Sequence, residues 1–259
     1  MTKLHRVSIL AYEGCQLLDV TGPAAVFGAA NEASGRAVYD LRIVSPDGGA
    51  VASNAGVAIE SRRIGGQPDT LLVAGGSLGL RAVMARQDVR RWLRKAAPRA
   101  RRYGSVCTGA FVLAAAGLLD GKRVATHWAS CERLADGFPA LTVDADSLYV
   151  VDGKVWTSAG VTTGIDMALA LVEADLGAAT ANLIARHFVL YARRPGYQSQ
   201  FSPLLQAQTA AEAPFAALID AQGVLRARGI INSREHLESL FEAKRLGVAS
   251  LQEYFSGAA

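Results

Sequence analysis

The sequence predicts an α/β protein built around a parallel, doubly wound sheet. Two observations carry that expectation. From residue 6 to residue 192, short apolar runs of strand length alternate with longer amphipathic or Ala-rich runs. Such alternation lays strands side by side with helices on both faces. The stretch Asp69-Thr70-Leu71-Leu72-Val73-Ala74 is largely apolar and does not alternate, as a strand buried from both sides requires. At 259 residues the chain is long enough for one large core and a small appendage. The expected division is an α/β domain over residues 1–192 and a bridge with a short helical segment over 193–259.

Taken in order, residues 6–12 make a first strand and 13–16 a loop. Leu17-Leu18-Asp19-Val20-Thr21-Gly22-Pro23 leads into a helix reaching about residue 33, and Pro23 suits a first turn, where its missing N–H costs nothing. Residues 39–45 form a second strand and 51–59 an edge hairpin, punctuated by Gly48-Gly49 and Asn54-Ala55-Gly56. The strand at 69–74 opens into Gly75-Gly76-Ser77-Leu78-Gly79. A helix over 88–97 carries Val89, Trp92, Leu93 and Ala96 on one face. A strand at 101–106 and an Ala-rich helix at 110–119 come next. After them stand a strand at 123–127, a short helix at 130–135, short strands near 142–143 and 148–151, and a last strand at 154–160. Helices over 164–176 and 178–192 close the domain.

The chain is organised around Gly104-Ser105-Val106-Cys107-Thr108-Gly109-Ala110. A strand turning sharply into a helix with a cysteine at the corner is nucleophile-elbow geometry. A helix N-terminus aimed at the sulfur favours thiolate, so Cys107 is expected to be more acidic than a free thiol. The competing reading is a buried structural cysteine, because free Cys packs as a small hydrophobe. Gly104 and Gly109 favour the functional one, since each costs conformational entropy in a mere joint. Ligands of such sheets sit beyond the carboxyl ends of the strands. Gly75, Gly76, Cys107, His127 and Gly160 all fall there, so one cleft is expected to collect them around a small-molecule ligand or substrate.

Composition excludes several classes. No apolar run reaches the length of a membrane span, and the N-terminus has no signal-peptide pattern. Cys15, Cys107 and Cys131 are an odd set without paired spacing, which speaks for a reducing cytoplasm and against a disulfide framework. With no close His/Cys/Asp cluster, no metal is expected. Without a Walker loop or a dinucleotide fingerprint, no cofactor is expected either. The net charge of +4 is too small to identify a nucleic-acid binder.

Residues 6–176 resemble the PfpI-type branch of the class I glutamine-amidotransferase-like superfamily. The resemblance rests on Asp19-Val20-Thr21-Gly22-Pro23, Val73-Ala74-Gly75-Gly76, Ser105-Val106-Cys107-Thr108-Gly109-Ala110, Gly117-Leu118-Leu119-Asp120-Gly121, Ala125-Thr126-His127-Trp128 and residues 157–166. It implies a flavodoxin-like fold, a homodimer, and a carboxyl from the first strand–helix loop beside the elbow cysteine, here Asp19. Glu13 is the competing carboxylate and is expected to face water. Thr108 stands where protease-like members carry His, which removes a Cys-His dyad. That departure fits the branch shared by isonitrile hydratases and the sensor domains of AraC-type regulators. In the hydratases, residues matching Asp19, Cys107 and Thr108 carry the chemistry. For His127 a hydrogen-bonded wall residue and an acid–base group remain equal readings, and Asp166 is expected to be a first-turn acid facing its helix dipole.

Residues 189–202 resemble the bridge by which AraC-type regulators leave this domain. Pro214-Phe215-Ala216-Ala217-Leu218-Ile219 resembles the start of their DNA-binding domain's first helix. Residues 232–241 resemble a recognition helix, and residues 246–248 and 252–255 resemble the segment next to it. Two three-helix units need roughly 80–100 residues, so a shortened DNA-binding half is expected. DNA contact from Arg226, Arg228, Arg234, Lys244 and Arg245 is then expected to be weak and sequence-independent. The alternative is an ordinary amphipathic helix packing Leu237, Leu240 and Phe241 on the main domain.

Overall fold

The computed structural model describes residues 4–201 and, as backbone strands, 215–219 and 225–230. The chain divides into two compact units, Met1–Gln200 and Phe201–Ala259.

The first unit runs β1 His5–Leu10, α1 Leu17–Ala33, β2 Tyr39–Ser45, β3 Gly49–Ala52, β4 Ala58–Arg63, β5 Thr70–Val73, α2 Leu80–Ala85, α3 Gln87–Ala96, β6 Arg102–Val106, α4 Gly109–Ala115, β7 Arg123–Val124, α5 Cys131–Gly137, β8 Thr142–Val143, β9 Tyr149–Asp152, β10 Val155–Ser158, α6 Thr163–Leu176 and α7 Ala178–His187. Eight strands form one sheet in the order β3-β4-β2-β1-β5-β6-β10-β9. It is parallel from β4 to β10 and antiparallel only at its two edges. Helices α1, α6 and α7 pack together, and α2, α3 and α4 form a second group. The α/β, doubly wound expectation holds. All four residues of the central β5 are buried, and Phe27, Ile9, Leu71, Leu72, Leu113, Met167 and Leu171 fill the core on either side. Each fully buried side chain of this kind stabilises the fold by about 1.5–3 kcal/mol.

The register places the site. Leu10 pairs with Val73, Val73 with Ser105 and Val106 with Ser158. Gly75, Cys107 and Gly160, just beyond these pairs, therefore emerge side by side at one rim.

Several local expectations change. Helix α1 begins at Leu17, so Pro23 lies inside it rather than in its first turn. The early start puts Asp19 in the first turn, and the proline gives up one backbone bond in the interior. Helix α2 has no counterpart in the sequence reading; at six residues its period is too short to register. The expected strand at 123–127 shrinks to β7, which pairs with β8 outside the main sheet. Helix α7 ends at His187 because Val189 adopts φ +54°.

In the second unit, β11 Phe215–Ile219 pairs antiparallel with β12 Leu225–Ile230, with an irregularity at Leu218/Ile219. Of the expected helix start at residues 214–219, the described part, Phe215–Ile219, is thus a strand. Two facing runs with aromatic and β-branched ends satisfy each other as a hairpin, which local helix propensity does not foresee. The expected recognition helix at 232–241, and 246–248 and 252–255, lie outside the described residues. Among the described residues no helix is long and apolar enough to cross a membrane.

Candidate active site

Strand β6 delivers Cys107 to the rim and α4 leaves immediately after it. Cys107 adopts φ +56°, a strained conformation for a residue with a side chain, held only where the surroundings over-determine it. Here they do. Its N–H donates to Ser158 O at 2.9 Å, continuing the pairing past the strand end. Its carbonyl accepts the buried Thr126 Oγ1 at 3.0 Å. The flanking glycines answer packing rather than ligand: a methyl at Gly104 runs into the Trp156 carbonyl, and one at Gly109 into the carbonyls of Val73 and Ala74.

Asp19 is fully buried. Its Oδ2 accepts Gly75 N–H at 3.0 Å, its Oδ1 accepts Val161 N–H at 2.7 Å, and it is hydrogen-bonded to the Cys107 side chain. Burial raises the Asp19 carboxyl to about 6, against the pull of the two N–H donors. Burial first, and then the Asp19 charge, push the Cys107 thiol up to about 12, against donation from Thr108. The expected acidic thiol is therefore corrected. Helix α4 has only seven residues, and its end does not offset desolvation beside a carboxylate. At neutral pH the resting pair is an ionised Asp19 accepting from a protonated Cys107. A thiolate is made in place by moving that proton to Asp19.

Thr108 is buried, and its hydroxyl donates to Gly76 O and accepts Gly76 N–H, both at 2.9 Å. It is also within hydrogen-bond reach of the Cys107 sulfur. One proton thus serves two acceptors and is free to turn to the sulfur when it becomes anionic. The glycines expected to line a ligand are filled by the site itself. A methyl at Gly75 would lie 2.6 Å from Asp19 Oδ2 and 2.7 Å from Cys107 Cβ, and one at Gly76 2.8 Å from Cys15 Cα. At Gly160, φ +94°, a methyl would overlap the Cys107 side chain. Gly75 and Gly160 let their loops pack closely against Cys107, and Gly76 lets its loop pack against Cys15.

His127 is not joined to the pair. Its Nδ1 accepts Ala129 N–H at 3.3 Å, capping a short turn, and its ring lies beside Trp128. Burial lowers its pKa. Glu13 is exposed and accepts Ala52 N–H at 3.2 Å, fastening β3 instead. Asp166, expected to answer only its helix dipole, is bonded by Arg194. Sequence reasoning missed Val161 and Thr126 as supports of the pair, because each acts through a backbone conformation or a carbonyl that residue type does not announce. A groove of about 260 Å³ lies elsewhere, lined by Tyr12, Glu13, Asp47 and Arg86 among others, and its Asp47 and Arg86 are paired with each other. Among the described residues no group of three or more His, Cys, Asp or Glu is placed to hold a metal.

Replacing Asp19 by Asn removes the charge that opposes Cys107 ionisation. Near pH 8, iodoacetamide should label Cys107 roughly tenfold faster in Asp19→Asn, corresponding to a pKa drop of about one unit. Glu13→Gln should leave the rate unchanged. Slower labelling of Asp19→Asn, at unchanged folding, would show that its charge does not hold the proton on sulfur.

The model of the DJ-1/PfpI family matches residues 5–174. The isonitrile hydratase of Pseudomonas putida is 33% identical over 198 residues, covering 75% of this chain and 82% of that one. The HTH-type transcriptional regulator GlxA of Rhizobium meliloti is 28% identical over 270 residues, covering 97% of this chain and 80% of that one. A THiJ/PfpI family protein from Pseudomonas syringae superposes with a TM-score of 0.67 at 26% identity, over 80% of this chain and 84% of that one. The matched stretch runs from β1 into α6 and takes in Asp19, the Cys107 elbow and the Gly160 loop, and the chain belongs to the DJ-1/PfpI family.

Proposed function

We propose that the chain is the sensing domain of an AraC-type transcription regulator, with Cys107 and Asp19 as the centre that receives a small-molecule or redox signal. The observation that carries this reading is the reach of the similarity. The likeness to GlxA covers 97% of this chain and so extends beyond Gln200, whereas the likeness to the hydratase covers 75% of it. In this reading the α/β unit binds the signal and residues 201–259 belong to the readout toward DNA. The assembly is a homodimer in the reducing cytoplasm, where Cys15, Cys107 and Cys131 remain thiols. Cys107 is only 8% exposed, so the ligand reaching it is small.

A second reading is favoured by the hydratase relative and by the intact set of Cys107, Asp19 and Thr108. There, Asp19 takes the thiol proton as sulfur bonds to the isonitrile carbon, and that proton passes to the same carbon, leaving a thioimidate. Thr108 steadies the sulfur. Water then adds to the C=N carbon, the C–S bond breaks, and an N-substituted formamide leaves with the thiol restored. Gly75, Gly76, Gly160 and His127 would shape the substrate's surroundings.

Incubation with cyclohexyl isocyanide separates the two. The sensor reading expects no formamide above the level of the Cys107→Ser variant. Turnover that requires Cys107, and is lost in Asp19→Asn although its thiol labels faster, would overturn it in favour of the hydratase.

A further inference from the structure

Residues 193–200 leave α7 and return to the domain as a strap. Arg194 donates through Nε and a terminal NH₂ to Asp166 Oδ2, at 3.1 and 2.5 Å, and to Thr162 Oγ1 at 3.0 Å. Further on, the strap adds an antiparallel partner to the chain entering β9, the exposed edge of the sheet. Tyr149 N–H donates to Gly196 O at 3.3 Å, Leu148 N–H to Gln198 O at 3.0 Å, and Gln200 N–H to Asp146 O at 2.7 Å. Gly196 is needed for this approach, since a methyl there would sit 2.6 Å from Tyr149 O.

Both ends of the strap touch the groups that hold the reactive pair. At one end, Thr162 is the neighbour of Val161, whose N–H donates to Asp19 Oδ1, and of the loop whose Gly160 packs on Cys107. At the other, Gln200 Nε2 donates to Thr126 O at 3.1 Å, and Thr126 Oγ1 donates to the Cys107 carbonyl. One residue, Thr126, stands between the strap and Cys107, and two, Thr162 and Val161, stand between the strap and Asp19. The strap ends at Gln200, where the first unit ends.

We infer that this strap is the output element of the Cys107–Asp19 site: a group added to Cys107 shifts the Gly160 loop and Thr126, and thereby loosens residues 194–200 from β9. A group on Cys107 meets close-packed neighbours, because the places a methyl would take at Gly75 and Gly160 are already occupied by the pair, and close-packed surroundings move as units. The physiological meaning rests on the sensor reading above, while the coupling is measurable without it.

The test uses the full chain and methyl methanethiolsulfonate. The Cys107 sulfur attacks the sulfenyl sulfur, a Cys107–S–S–CH₃ bond forms, methanesulfinate leaves, and the thiol proton passes to Asp19 and then solvent. Conditions are set so that mass mapping finds one adduct, on Cys107. Hydrogen exchange at the amides of Leu148, Tyr149 and Gln200 should then quicken at least fivefold, with the Ser53 amide in the opposite edge hairpin unchanged. Thr126→Val keeps the side-chain shape but removes the hydroxyl, and should blunt that response at Gln200. Gln200→Ala and Arg194→Ala should in turn alter the rate of adduct formation. Unchanged exchange at the strap of fully modified protein, or an equal rise at Ser53, overturns the inference. Isonitrile turnover with the exchange response intact would sink the sensor reading alone, and absent turnover with unchanged exchange would sink the coupling alone.

Discussion

Gly160→Ala is expected to destabilise the domain by roughly 3–5 kcal/mol, combining backbone strain with overpacking. Gly160 adopts φ +94°, and a methyl there would overlap Cys107 Cα and Cβ and come within 2.8 Å of its sulfur. Cys107 cannot yield, because both its backbone groups are bonded, to Ser158 and Thr126. The control is Gly177→Ala. Gly177 also has a positive φ, +85°, but a methyl there meets nothing within 4 Å. At ψ 163° its backbone lies in a region almost confined to glycine, so it should lose only that backbone part, about 1–3 kcal/mol. Urea unfolding of the two variants gives the comparison. Equal losses would mean that the rim around Cys107 is slack, contrary to the geometry described above.

A second large effect is expected at the opposite end of the strands. Asp175 and Arg102 form an ion pair whose side chains are 6% and 5% exposed. Tyr39 OH donates to Asp175 at 2.9 Å, Arg101 pairs with it at 2.9 Å, and Arg102 Nε donates to Thr70 Oγ1 at 2.9 Å. Asp175→Ala leaves the Arg102 charge buried without its partner and should cost roughly 3–5 kcal/mol. Replacing both, with Arg102→Met and Asp175→Leu, should cost less than Asp175→Ala alone. If the double change costs as much, the uncompensated charge is not the cause. Cys107 labelling in the folded fraction of either variant should match the unmodified chain.

The two buried aspartates also differ in sign with pH. Burial raises Asp175, but Arg102, Tyr39 and Arg101 outweigh it and the net direction is down. Its stabilisation is therefore complete above the ordinary aspartate range and fades as acid protonates it below that range. Asp19 is raised from 3.8 to about 6. Its stabilisation is complete below 3.8 and is lost as pH rises through about 6. Asp175→Ala should flatten the acid limb of the stability curve, and Asp19→Asn the limb near pH 6.

The layered architecture, the unbroken central strand Thr70–Val73 and the corner that presents Cys107 are all legible in the chain before it folds. These are local signals: a hydrophobic period, a run of apolar side chains, and small residues where a chain must bend. The family resemblance also ranked Asp19 above Glu13. Where the shared proton rests is a property of the folded molecule alone, because desolvation and a neighbouring charge act through space and overrule a seven-residue helix end. Asp19 receives an N–H from Val161, 142 residues away, and no local pattern encodes that meeting. The same holds for β7 leaving the main sheet, for residues 215–219 pairing as a strand, and for residues 193–200 covering the edge at β9. Each depends on which distant backbone groups remain unpaired once the core has closed, and that is set by the assembled sheet rather than by any one segment.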